Sequence, residues 1–393
     1  MAGVRVSVGF SESFDAIEAT AEASAAARAG LEGGCDLCLV FASAPHLPRA
    51  KWVLSEVQQR LDPASLIGCG AGGTVAGGRE IEEGPGLVVW AASLDGAEVT
   101  TMHLTAERVA DGFTLLGLST ALSGSGEGDP AREALIALAD PYTFPAEALL
   151  AQVEQERPGL PALGGLASAA VGGGAVLFQD GEVHSEGAVA ALLSGVQVLP
   201  CVSQGATPVG PEMTITAAEA NVIGELASKP AMERLGEVIE SLDPREQALA
   251  AQGVLLGVVI DENRPDYDRG DFLVRPIVGA DRASGAIAIG ARVRVGQTVR
   301  LQVRDAASAD EDLRQALRAQ AEALGSDGVA GALLFTCNGR GSHMFELPDH
   351  DATAVEDTFG APAAGFFCAG EFGPVGGRNF LHGFTATLAV FAR

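Results

Sequence analysis

One segment grammar recurs three times along the chain, and that recurrence constrains the fold more than any single motif. A continuous apolar strand leads into a helix-compatible stretch, then a short strand ending in small residues, then a longer strand. The first copy opens at Leu37–Ser43, passes a helix over 48–61, and continues through LIGCGAGG at 66–73 to Leu87–Ser93. The second reads ALIALA at 134–139, a helix over 145–156, ALGGLASA at 162–169, and strands at 175–178 and 188–193. The third reads GALLFTC at 331–337, a helix over 351–359, AAGFFCAG at 363–370, and a closing strand at 384–391. The strands are continuous apolar runs rather than alternating ones, the pattern of sheets covered on both faces. Trp52, Val53, Val57 and Leu61 fall near one helical face, and Pro48 and Pro145 stand near helix starts, where a missing N–H costs little.

Further helices are expected over 15–30, with Asp15 as N-cap, and over 231–241 and 310–324. The stretch 123–130 (SGSGEGDP) reads as a flexible connector, 200–211 as turn-rich, and 217–241 as mostly helix. Strands are expected at 254–260, 272–278, 286–289 and 298–303. The fold class that follows is α/β (α+β): two related domains, 1–221 and 222–393, built from repeated β-α-β-β units with mixed sheets covered by helices.

Charge then removes whole classes of function. The 393 residues carry 25 Lys plus Arg against 51 Asp plus Glu, a net −26, so neither nucleic acid nor an anionic membrane surface is expected as a partner. At 47% hydrophobic and 19% charged residues, the chain is too apolar to stay disordered. Its start lacks the basic and apolar stretches of a signal peptide, and a cytoplasmic location is expected. Six cysteines in so long a chain argue against a disulfide framework.

The usual chemical motifs fail on context. GCGAGG at 68–73 matches G-x-G-x-x-G, but no helix pattern follows to hold a pyrophosphate. Cys35 and Cys38 form a C-x-x-C whose members, read as strand residues three apart, point to opposite faces. His343 and His350 flank an acidic stretch with Asp349 and Asp351 that reads as a solvated loop. Neither a zinc-ligand spacing nor a G-x-S-x-G elbow occurs. No cofactor and no metal is expected.

The best constellation lies in the C-terminal half. CNGRG at 337–341 ends one strand, GFFCAGEFGP at 365–374 ends another, and Arg275 sits in FLVRP. Strand ends in open sheets are where ligands collect. Arg275 and Arg340 can fork onto a carboxylate, Glu371 can accept from an ammonium, and Cys337, Asn338, Cys368 and Thr385 can supply softer contacts. Such a set suits a small polar zwitterion such as an amino acid. The same residues also fit a structural Arg–Glu salt bridge between repeats.

These residues also carry a resemblance. The sequence resembles the FIST family, named for F-box and intracellular signal transduction proteins. VGFS at 8–11, LVF at 39–41, IGC at 67–69, Gln204, Gly205, Pro208, TIT at 214–216, IGEL at 223–226, FTCNGR at 335–340 and GFFCAGE at 365–371 follow the family's order. Where the family has E-L-D-G, this chain has Glu225-Leu-Ala-Ser. The resemblance implies paired N and C modules that sense small ligands, amino acids among them, or recruit other proteins. The length is expected to leave no room for an output domain, so either output passes through a signalling protein partner or the protein is a stand-alone binder. Three functions follow: a small-ligand sensor, a protein-interaction scaffold without a ligand, or an enzyme using Cys337 or Cys368.

Overall fold

The computed structural model describes residues 3–31, 33–109, 112–124, 129–171 and 174–393; of the expected connector, 125–128 lie outside them. Contacts divide the chain into two compact units, one drawn from 1–203, 313–381 and 386–393, the other from 204–312 and 382–385.

The first unit is built from the three repeats. Repeat 1 comprises β1 (Leu37–Ser43), α1 (Ala50–Leu61), β2 (Ser65–Ala71), the hairpin β3–β4 (Thr74–Ala76, Arg79–Ile81) and β5 (Leu87–Ser93). Repeat 2 comprises β6 (Glu133–Ala139), α2 (Ala146–Glu156), β7 (Ala162–Leu166), the hairpin β8–β9 (Leu177–Gln179, Glu182–His184) and β10 (Ala188–Ser194). Repeat 3 comprises β11 (Val329–Cys337), α3 (His350–Phe359), β12 (Ala363–Cys368), the hairpin β13–β14 (Glu371–Val375, Arg378–His382) and β15 (Thr385–Ala392).

In each repeat the first two strands pair in parallel around the intervening helix, and the last strand adds antiparallel to the first. The hairpin does not join its own sheet. The β3–β4 hairpin pairs with β12 of repeat 3, β13–β14 with β7 of repeat 2, and β8–β9 with β2 of repeat 1. The exchange is cyclic. One hydrogen bond recurs at each junction: Gly70 N–H to the Val176 carbonyl (2.8 Å), Leu166 N–H to Gly370 (2.8 Å) and Phe367 N–H to Gly73 (3.0 Å). Each lent hairpin satisfies the backbone of a strand that would otherwise be an open edge.

Both sheet faces are buried, as the continuous apolar runs predict. Leu39, Phe41, Ile136, Leu138, Leu333 and Phe335 face a central core shared by all three repeats. Their neighbours face three separate helix-covered cores: Val40 toward Val53 and Val57, Ala137 toward Leu149 and Val153, Leu334 toward Val355. In the centre Phe41 stacks on Phe366 at 5.1 Å. Asp15 caps the helix Ala16–Ala29 by accepting from the Ile17 and Glu18 amides, as its position predicts.

The second unit is an antiparallel barrel inserted between repeats 2 and 3. Its strands run in the order Ala206–Glu219, Thr298–Arg304, Val254–Val259, Phe272–Asp281, Ala286–Ile289 and Val222–Leu226. The last pairs back onto the first and closes the ring. Two expectations are corrected here. Residues 200–211 are strand rather than turn, and only Ala231–Ser241 of 217–241 is helix. The small and polar residues at 214–228 hid a bulged hairpin, whose half-buried faces give no clear period. Among the described residues no helix is long and apolar enough to cross a membrane.

One glycine position is common to the repeats. Gly68, Gly164 and Gly365 lie opposite Val40, Ala137 and Leu334 in the parallel pairs. A Cβ there would stand 2.2, 1.9 and 1.7 Å from those residues' carbonyl oxygens. We expect Gly164→Ala, which also forces alanine to φ +135°, to cost about 2–3 kcal/mol, read as a lowered urea midpoint with unchanged slope.

Candidate functional site

The C-terminal ends of β11 and β12 lie side by side, with Cys337 opposite Cys368. The chain leaves β11 through Asn338, whose amide donates to the Cys368 carbonyl (2.9 Å), and turns inward at Arg340. That side chain is fully buried. A buried guanidinium demands a partner, and Asp351 in the first turn of α3 supplies one. Arg340 Nε donates to Oδ2 (2.7 Å) and Nη2 to Oδ1 (2.8 Å). Thr336 Oγ1 donates to Oδ2 (2.7 Å), and His350 Nδ1 lies 2.9 Å from Oδ1. Phe345 stacks on the His350 ring, with its centroid 5.1 Å from the Arg340 guanidinium carbon.

The lent β3–β4 hairpin closes this cluster. Glu80 Oε1 accepts from the Asp351 and Ala352 amides (2.8 and 3.0 Å), the exposed donors of a helix start. Asp349 Oδ1 accepts from the Glu80 amide (2.6 Å). Glu82 accepts from both the amide and the hydroxyl of Ser342 (2.8 Å each). Burial, and then the charge of Asp351, pushes the Glu80 carboxyl up to about 7. Burial opposes ionisation of Asp351, but Arg340 overcomes it and holds the carboxyl well below the usual range. Arg340 Nη1 and Glu80 Oε2 are buried without a hydrogen-bond partner among the described residues.

The structure thus brings Cys337, Arg340, Cys368 and Glu371 together: Glu371 and Cys337 both act electrostatically on Arg340 and Cys368. Asn338 is exposed at the same strand end. Arg275 and Thr385 belong to the barrel unit. Arg275 is nearly buried, and its Nη1 donates to the Val274 carbonyl (3.1 Å); Thr385 is also buried.

Arg340 spends its fork on Asp351. Two readings are corrected. The stretch around His350 is no solvated loop, since Asp351 is fully buried. Cys35 and Cys38 share one core beneath α1. Cys35 precedes the strand, so strand alternation does not apply to it. Sequence reasoning missed the cluster of Asp351, Glu80 and Glu82, because the partners that the hairpin brings lie up to 272 residues away.

It also missed the cavity at the matching place in repeat 1. There the short helical turn Ala44–Arg49, the start of α1 and the lent β8–β9 hairpin border an open cavity of about 650 Å³. Leu47, Trp52, Val176 and Val183 give it apolar walls, and Arg49 and Lys51 stand on its lining.

With this geometry in hand, comparison places the protein. The chain belongs to the FIST family: the FIST N domain matches residues 36–229 and the FIST C domain residues 231–374. FIST domains are associated with signal transduction. Among its relatives, the uncharacterized protein Rv0628c of Mycobacterium tuberculosis is 43% identical over 392 residues, covering 99% of this chain and all of the relative. The uncharacterized protein Mb0898c of Mycobacterium bovis is 42% identical over 391 residues, covering 99% of each.

Two predictions follow from the cluster. Asp351→Asn strands the Arg340 charge and should cost roughly 3–5 kcal/mol, measured by urea unfolding at pH 7. The folded chain keeps the Glu80 proton between about pH 4.5 and 7, where the unfolded chain has lost it. This group therefore lowers stability as pH rises through that window, by of the order of 2–3 kcal/mol. Glu80→Gln should flatten the stability profile from pH 5 to 7 and exceed the parent's stability at pH 8.

Proposed function

We propose that this protein is a cytoplasmic small-ligand-binding sensor module of signal transduction. The observation that carries the reading is the cavity of repeat 1. At about 650 Å³ it falls within the size range of small-molecule sites. It joins α1 of one repeat to the hairpin lent by another, so an occupant would tie two repeats together. That tightening is a change a signalling protein partner can read. A stabilising ligand at 100 times its Kd adds about 2.7 kcal/mol.

A second reading places an amino acid at the strand ends of repeat 3, near Arg340, Asn338 and Glu371, with Arg275, Cys337, Cys368 and Thr385 as the wider expected set. The unspent Nη1 donor of Arg340 favours it.

A thermal-shift screen with amino acids and a broad metabolite panel tests both. A saturable rise in Tm that Val183→Phe abolishes supports the cavity. A rise that survives Val183→Phe and disappears in Glu371→Gln supports the strand ends. No saturable rise with any compound would overturn the sensor reading.

A further inference from the structure

The cavity is the counterpart of the Arg340 cluster, and the strand registers show it residue by residue. In repeat 3's sheet, Gly365 pairs with Val75, which pairs with Glu80. In repeat 1's sheet, Gly68 pairs with Phe178, which pairs with Val183. Gly68 and Gly365 are equivalent, so Val183 occupies the place of Glu80 and Ser185 that of Glu82. Along the chain, Arg340 lies three residues beyond β11 and His46 three beyond β1; both are fully buried.

The chain thus fills the repeat 3 copy of this place with two of its own carboxylates and leaves the repeat 1 copy open. The open copy has a different charge. None of its lining residues is acidic, in a chain with 51 Asp plus Glu. At the position of Arg340 stands the buried imidazole of His46, with neither ring nitrogen hydrogen-bonded among the described residues, so no guanidinium fills this copy. The cations are Arg49 and Lys51, both exposed and without hydrogen bond or ion pair among the described residues. Lys51 is one of only two lysines in the sequence.

We infer that the cavity of repeat 1 takes an amphipathic organic carboxylate. Its acid group lies at Arg49 and Lys51, and its apolar body packs on Leu47, Trp52, Val176 and Val183. The ligand supplies the carboxyl group that Glu80 and Glu82 bring to repeat 3. An ammonium would meet no carboxylate in this lining, so a free amino acid is the poorer occupant here. The inference rests on the cavity being the sensor's ligand site.

Calorimetric titration of the full chain at pH 7.5 tests it, with octanoate and indole-3-acetate each compared with its neutral amide. The acids should bind at least tenfold more tightly than the amides. The double variant Arg49→Gln/Lys51→Gln should erase that preference while leaving amide affinity within twofold. Both substituted side chains are exposed and unpaired, so folding is not at stake. Val183→Phe should remove binding of all four compounds. Amides binding as tightly as acids, an acid preference surviving the double variant, or no binding by any of the four would overturn the ligand class. The sensor reading falls separately, only if the metabolite screen also finds no saturable ligand.

Discussion

The first unit depends on one constraint: a two-stranded parallel pair cannot end at an unpaired edge inside a protein. The second strand of each repeat, β2, β7 or β12, carries backbone donors and acceptors that its own repeat does not satisfy. Each is completed by a hairpin from a different repeat. Because the lending is cyclic, every repeat is both donor and acceptor. Removing any one would open an edge in a second sheet and leave a hairpin without a sheet in the third. The buried central core shared by all three repeats is the packing consequence of that backbone arrangement.

The same arrangement multiplies one kind of place. Each repeat's second strand receives a neighbour's hairpin, so three sheets receive three foreign hairpins. What occupies each meeting point depends on a few side chains. In repeat 3, Glu80 descends onto a helix start and Glu82 onto Ser342, while Arg340 turns inward onto Asp351, and the space is filled. In repeat 1, Val183 and Ser185 arrive instead, and a cavity remains. A buried ion pair is costly to assemble but costlier to break, which makes repeat 3 a clasp. An open apolar cavity with unpaired cations has no such internal partner.

Much of this was legible in the sequence because it is local. Continuous apolar runs mark strands buried on two sides, Asp15 marks a helix start, and the glycines of IGCG, LGGL and AGFF mark the close approach of two backbones. The misreadings share one cause. The hairpin at 214–228 has half-buried strands without a clean period, so propensity alone suggested helix. Arg340 stands out in the sequence at a strand end. Its partner Asp351 reads there as part of a polar stretch, since nothing in HDATAVED shows which carboxylate turns inward.

The sequence by itself determined the repeated elements, the two-sided burial of their strands and the family to which the chain belongs. These follow from hydrophobic runs, turn residues and motif order, all of which act within a few residues. Only the tertiary structure decided which hairpin completes which sheet, and therefore that Glu80 meets Asp351 while Val183 meets the start of α1. Backbone hydrogen bonding between strands is indifferent to side-chain identity, so no residue pattern announces its distant partner. The chemistry of each strand end is set by that partner.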